Sequence, residues 1–293
     1  MKDQYHKILK DGLKDEVSVN EEWEHLSSTI KEKDKQRNPK KKKTRFSLSF
    51  LKYAAAILAG FIVSSATFLC IKQEPDRNNI GNYKVHTEKG KQSFIELPDG
   101  SKIWLNACTT IEYAADYGIA NRDIDLDGEA YFEVAKNKAL PFVVKTKGIN
   151  VKALGTAFNI SAYPDDMKLV TTLFSGEVSV QPTLTKEEVL LQPNQILIYH
   201  KDIQQIEKKD SPDKKGVEWR NGILAFDMLQ MNEITKMLER NYDIFFKYEN
   251  ERIKTLQFSG AFRNNESIND VLKIISTNTS IGYIINKDTI IFK

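Results

Sequence analysis

Gly128-Glu129-Ala130-Tyr131-Phe132-Glu133-Val134 alternates apolar and polar side chains one residue at a time. Successive side chains of an extended strand point to opposite faces, so Ala130, Phe132 and Val134 share one face. Glu129, Tyr131 and Glu133 share the other. Runs of the same texture lie on both sides: SFIEL (93–97), KIWL (102–105), FVVKT (142–146), INVKAL (149–154), FNISAY (158–163), KLVTTLF (168–174), GEVSV (176–180) and QILIY (195–199). They recur roughly every 8–12 residues, punctuated by turn signals such as Pro98-Asp99-Gly100 and Ser175-Gly176. This pattern predicts a mainly-β domain over residues 83–210, a sandwich or a β-solenoid.

Toward the C-terminus the period changes. Shifting the sequence by 37 lays Met231, Ile234, Met237, Leu238, Ile244 and Phe246 on Ile268, Val271, Ile274, Ile275, Ile281 and Tyr283. Each copy reads strand, amphipathic helix, strand, and TIIF (289–292) closes a hairpin through Asn286-Lys287-Asp288. Residues 217–293 are therefore expected to form a small α+β domain of two βαβ-like halves, with helices on one side of a short sheet.

Toward the N-terminus, YAAAILAGFIVSSATFLCI (53–71) carries no charge. As a helix it would be about 28 Å long, close to the hydrocarbon thickness of a bilayer, and it predicts a transmembrane segment. Lys40–Lys43, Arg45 and Lys52 precede it, which orients the N-terminus to the cytoplasm. Residues 1–52 hold fourteen Lys or Arg against nine Asp or Glu, a net +5, whereas the whole chain is +3. The remainder is thus about −2, and the basic character belongs to the tether. KKKKTR (40–45) is expected to contact lipid headgroups and fix orientation rather than to hold nucleic acid. A cleaved signal peptide would sit nearer the start of the chain, although Ser64 and Ala66 could mimic a cleavage site. A lipoprotein anchor on Cys70 would need a small residue where Leu69 stands. Residues 72–82 read as a spacer outside the membrane. The expected location is the bacterial inner membrane, single-pass, with the C-terminus in the periplasm.

Before the basic linker at 36–52, residues 1–35 are too few to build a core. Tyr5, Ile8, Leu9 and Leu13 nevertheless fall at helical spacing, as do Trp23, Leu26 and Ile30, with a capping-box match at Ser18–Glu21. Two such stripes want a partner.

LPDGSKIWLNACTTIEY (97–113), LDGEAYFEVAKNKALPFVVKT (126–146), VKALGTAFNISAY (151–163) and TTLFSGEVSV (171–180) resemble the FecR-type regulators of sigma factors. The tail, from WRNGILAF through FSGAF and SINDVLKII, resembles the domain appended in Bacteroidetes members, itself similar to the short N-terminal domain of secretins and TonB-dependent transporters. The resemblance implies a transmembrane anti-sigma factor. Its cytoplasmic segment would hold an extracytoplasmic-function sigma factor, here through Leu9, Leu13, Trp23, Leu26 and Ile30. Its periplasmic part would sense the signalling domain of a TonB-dependent outer-membrane transporter. Strands Leu256–Phe262 and Thr289–Phe292 are the expected receptor-facing edges, with Leu256, Phe258, Phe262, Ile290 and Phe292 as contact residues. Signal transfer by periplasmic and intramembrane proteases is expected near Ile71–Asn79 and within the span. The alternative is a membrane-anchored periplasmic binding or scaffold protein without sigma regulation.

An enzyme is not expected. The four histidines, His6, His25, His86 and His200, are scattered, and no nucleophile, metalloprotease, phosphate-loop or dinucleotide motif occurs. With two cysteines, Cys70 and Cys108, neither a disulfide framework nor a metal cluster is on offer. Asp123-Ile-Asp125-Leu-Asp127-Gly128 starts like a calcium loop, but Val134 occupies the position that needs a bidentate Glu and Tyr131 the ninth. The alternation with Ile124 and Leu126 fits a strand with one wet face better. No cofactor is implied. Asn278-Thr279-Ser280 is a formal sequon of little meaning in a bacterial chain.

Overall fold

The computed structural model describes residues 81–185, 187–211 and 216–293, and before them only Glu24, Ser27, Ser28, Gly60 and Ser64. The expected cytoplasmic stripe and, but for Gly60 and Ser64, the expected span lie outside the described residues. Among the described residues no helix is long and apolar enough to cross a membrane. The strands and helices below all belong to the compact unit Pro75–Lys293.

The opening motif belongs to the strand that organises the β part. Numbered in chain order, β5 (Arg122–Glu133) is twelve residues long and takes part in two layers. Its first half, 122–127, lies between β4 (Thr110–Ala114) and β6 (Phe142–Lys145). That layer continues through β1 (Asn82–His86) on one side and β7 (Ile149–Ala153), β10 (Val178–Pro182) and β11 (Val189–Leu191) on the other. Its second half, 128–133, lies between β3 (Lys102–Leu105) and β8 (Ala157–Ala162). There the layer adds β2 (Ser93–Glu96), β9 (Lys168–Ser175), β12 (Gln195–His200) and β13 (Gln205–Asp210). The result is one curled thirteen-stranded sheet closed over a single core.

Alternation decides which side chains fill it. Ile124, Leu126, Ala130, Phe132 and Val134 all enter the core, where Phe132 stacks on Phe158 at 5.0 Å and meets Phe142 edge-on at 5.8 Å. The layers change over at Gly128, whose φ of 119° suits glycine. A Cβ there would lie 2.5 Å from Thr109 Oγ1. That hydroxyl accepts from Glu129 N–H (2.9 Å) and donates to Glu129 C=O (3.1 Å), pinning the bend. Asp123, Asp125 and Asp127 line the outer face of a continuous strand, and Lys145 and Lys147 pair with the first and third at 2.9 and 3.1 Å.

The core also contains an ion pair. Arg122 is fully buried and donates to Asp99 Oδ2 (3.0 Å) and to the carbonyls of Leu140, Ala135 and Asn137. Asp99 accepts as well from Ser101 N–H, Ser101 Oγ and Tyr117 Oη. Burial would raise the Asp99 carboxyl, but these donors and the guanidinium hold it below its usual range. The Pro98-Asp99-Gly100 turn is thereby tied to the start of β5.

The terminal part comprises β14 (Ile223–Gln230), α1 (Met231–Tyr242), β15 (Phe245–Tyr248), β16 (Gln257–Arg263), α2 (Ile268–Thr279), β17 (Tyr283–Asn286) and β18 (Thr289–Phe292). The repeat is visible in the helices. Both are twelve residues long and begin 37 apart, each opened by a cap: the Gln230/Glu233 box for α1 and Ser267 for α2. The strands differ from the expected two halves around one sheet. Instead β14 pairs antiparallel with β16, while β15 pairs parallel with β18, which also takes β17. The halves interleave in two small sheets that share one core. One core joins Phe226, Phe258 and Phe262 from the first sheet to Ile290 and Phe292 from the second, with Ile234, Leu238, Val271 and Ile275 from the helices.

Candidate functional site

Phe258, Phe262, Ile290 and Phe292, expected as receptor-facing contacts, are interior residues of this core; of the five only Leu256 is exposed. Period-2 alternation turns these aromatics inward, and that same apolar character is what singled them out. Thr289–Phe292 is moreover the central strand of its sheet, with both edges occupied. The free edges of that sheet belong to β15 and β17. In β17 the consecutive residues Ile284 and Ile285 are each 45% exposed. Lys293 N–H donates to Gly282 C=O at 2.8 Å, which sets the phase of the hairpin. The hydrogen-bonded pairs are then Ile284 with Ile291 and Asn286 with Thr289, so the backbone groups of Tyr283 and Ile285 point to the outer edge. Two other edges are defended: β13 is rich in Lys and Glu, and β14 bulges at Asp227–Met228.

A second site lies where the terminal part meets the outer face of the sandwich. One wall is the polar face of the opening motif. Tyr131 lies in an aromatic row, 5.7 Å from Trp104 and 5.6 Å from Phe174, with Phe94 4.9 Å beyond Trp104. Arg220, from the 3-10 turn Glu218–Asn221, stacks 3.8 Å over Tyr131 and 4.2 Å over Trp104. Helix α1 supplies the other wall. Glu233, Lys236, Met237 and Arg240 form a second stripe beside the core-facing one. Glu233 pairs with Lys168 at 2.9 Å, and Lys236 Nζ donates to Asp165 C=O. Arg240 grips both Asp165 (2.9 Å) and Asp166 (2.6 Å) while lying 3.7 Å over the Tyr163 ring. Burial pulls the Asp165 carboxyl upward, but Arg240 overrides it and keeps it below its usual value. Gly90 N–H donates to Arg240 C=O (2.8 Å), and Gln92 to Trp219 C=O (3.1 Å).

Between the walls is a cavity of about 150 Å³. Glu129, Tyr163, Trp219 and Arg240 all border it. Glu129 accepts from Asn106 Nδ2 (2.8 Å) and Asn159 Nδ2 (2.9 Å). Burial pushes its carboxyl up to about 7, against the pull of those amides and of Arg240. Sequence reasoning placed Glu129 with Tyr131 and Glu133 on the face opposite Ala130, Phe132 and Val134, and missed the joint. The available signals were the adjacent acids of Pro164-Asp165-Asp166 and an arginine in a helix of otherwise ordinary polarity.

The described histidines do not meet: His86 contacts Thr110 (2.9 Å) and His200 lies 3.5 Å from Glu207. Among the described residues no group of His, Cys, Asp and Glu is arranged to hold a metal ion. Leu9, Leu13, Trp23, Leu26 and Ile30 lie outside the described residues.

Comparison with known proteins gives a consistent result. Residues 83–179 match the FecR protein family, and residues 223–292 match the family described as FecR, C-terminal. Two crystal structures of a candidate anti-sigma factor from Parabacteroides distasonis ATCC 8503, at 1.65 and 2.50 Å, superpose with a TM-score of 0.67 at 27% identity. Each covers 72% of this chain and 98% of its own. No curated protein matches the chain.

Proposed function

The chain belongs to the FecR family, and from that premise we propose that it is a single-pass inner-membrane anti-sigma factor that relays a periplasmic signal to an extracytoplasmic-function sigma factor. The observation that carries the anti-sigma role is the match of both family regions together with the solved relative over 72% of the chain. The family is regulatory, and the chain is not an enzyme on this reading. The membrane crossing rests on the uncharged run 53–71 and its basic flank. The sigma contact rests on the stripe Leu9, Leu13, Trp23, Leu26 and Ile30, with Trp23 as anchor because it offers the largest contact area.

On the outside, the partner is the signalling domain of a TonB-dependent outer-membrane transporter. We assign its docking to the outer edge of β17, where unpaired backbone groups and two exposed isoleucines favour strand addition. Transfer across the membrane proceeds by cleavage near Ile71–Asn79 and then within the span.

The test is a two-hybrid or pull-down of residues 1–50 against the extracytoplasmic-function sigma factors of the same genome. Specific capture of one or two, lost in Trp23→Ala, is expected. Capture of none would leave the chain a periplasmic binding or scaffold protein. Immunoblots showing only intact chain during full induction would overturn the proteolytic step alone.

A further inference from the structure

The joint between sandwich and terminal part holds a half-buried acid without giving it a base. Glu129 faces away from the sandwich core, and its two carboxyl oxygens meet only the neutral amides of Asn106 and Asn159. The titratable and charged groups around it come from every element packed there. They are Tyr163 and Asp166 from the loop after β8, Glu218 from the 3-10 turn, and Arg240 from α1. Arg240 is the one cation among these cavity-lining residues, and its guanidinium is committed to Asp165 and Asp166. We propose that this joint is a proton-linked hinge: with Glu129 protonated the terminal part stays closed on the sandwich, and ionisation of Glu129 loosens it.

The physical reason is hydration. An ionised carboxylate enclosed by neutral amides and flanked by Asp166 and Glu218 gains by reaching water, and opening the joint provides it. The sign comes from linkage. Closure lifts the Glu129 carboxyl from an ordinary 4.5 to about 7, so the closed state binds the proton more tightly. Closure is therefore firmest below the ordinary glutamate range, weakens as pH rises toward 7 and is flat above. For a fully hydrated open state, the open-to-closed ratio rises roughly 70-fold between pH 5 and pH 8. The Arg240–Asp165 pair has the opposite sign, because that carboxylate is held below its usual range and loses its charge only at more acidic pH. Neither described histidine borders the cavity, which leaves Glu129 to set the trend from pH 5 to 8. The hinge would operate whichever protein the cytoplasmic segment holds.

Hydrogen exchange of the full-length chain at pH 5 and pH 8, corrected for the intrinsic pH dependence of exchange, tests it. Protection of segment 216–222 and of the Gly90 amide is expected to fall tens-fold at pH 8, with β6 and β7 unchanged. Glu129→Gln, which imitates the protonated acid, is expected to remove the fall. Equal protection at both pH values, or an undiminished fall in Glu129→Gln, would overturn the hinge. Should that variant fail to fold, carboxyl titration of the ¹³C-glutamate-labelled wild type decides. One glutamate titrating near neutrality, and returning to the ordinary range in Arg240→Ala, supports it; all glutamates titrating in the ordinary range overturn it.

Discussion

Arg122 and Arg240 are both withdrawn from water, and their partners differ in what they hold together. Arg122 has side-chain exposure of 1% against 11% for Asp99, so loss of the aspartate charge would strand a guanidinium in the core. Asp99→Asn is expected to cost about 3–5 kcal/mol, read as a lower urea midpoint with an unchanged slope. The Asp99 carboxyl is held below its usual value, so the stability it adds is present at neutral pH and is lost as pH falls below the ordinary carboxylate range. Acid titration of wild type and Asp99→Asn should therefore converge at the acidic end. Gly128 is the other position where one atom decides. Gly128→Ala would place a methyl against Thr109 at a left-handed φ, and a loss of about 2–4 kcal/mol is expected in thermal or urea unfolding. The turn at Asp99 was legible in the sequence through Pro98 and Gly100. Its partner was not, because a buried arginine 23 residues on carries no local signature of its pairing.

Among elements, the two halves of β5 and the edge strand β17 matter most. The alternation of 128–134 predicted that Ala130, Phe132 and Val134 share a face, and all three enter the core. That the same strand passes from one layer to the other was not legible. The bend depends on Thr109 bridging the backbone of Glu129, a contact between residues 20 apart. The 37-residue repeat predicted an amphipathic helix in each copy, and the two helices begin 37 residues apart, since amphipathic spacing is local. Strand pairing is not local, and the halves exchange partners. For β17 the phase of the hairpin gives a clean test. Ile285→Pro removes an outward N–H and spares the ladder to β18, so it should reduce binding of the transporter signalling domain at least tenfold while changing the melting temperature little. Ile284→Lys should act in the same direction by charging the edge. Unchanged affinity in both variants, measured by calorimetry, would exclude this edge.

Over the whole molecule, the chain divides by charge and by chemistry. A basic segment with apolar residues at helical spacing in its sequence precedes an uncharged run, and a sandwich and an interleaved α+β part come after it. Composition and periodicity were enough to tell the β part from the α+β part, because each texture is written over ten or more contiguous residues. The joint was beyond their reach. Trp104, Tyr131, Tyr163, Arg220 and Arg240 converge from five separated segments, and each looks alone like an ordinary surface or core residue. The central claim is that the first 50 residues hold a sigma factor under control of the rest. The most direct measurement is transcription from the promoters of that sigma factor in cells carrying the wild-type chain or Trp23→Ala, with the transporter unstimulated. Altered transcription in Trp23→Ala at normal protein abundance is predicted; transcription identical to wild type would contradict the account.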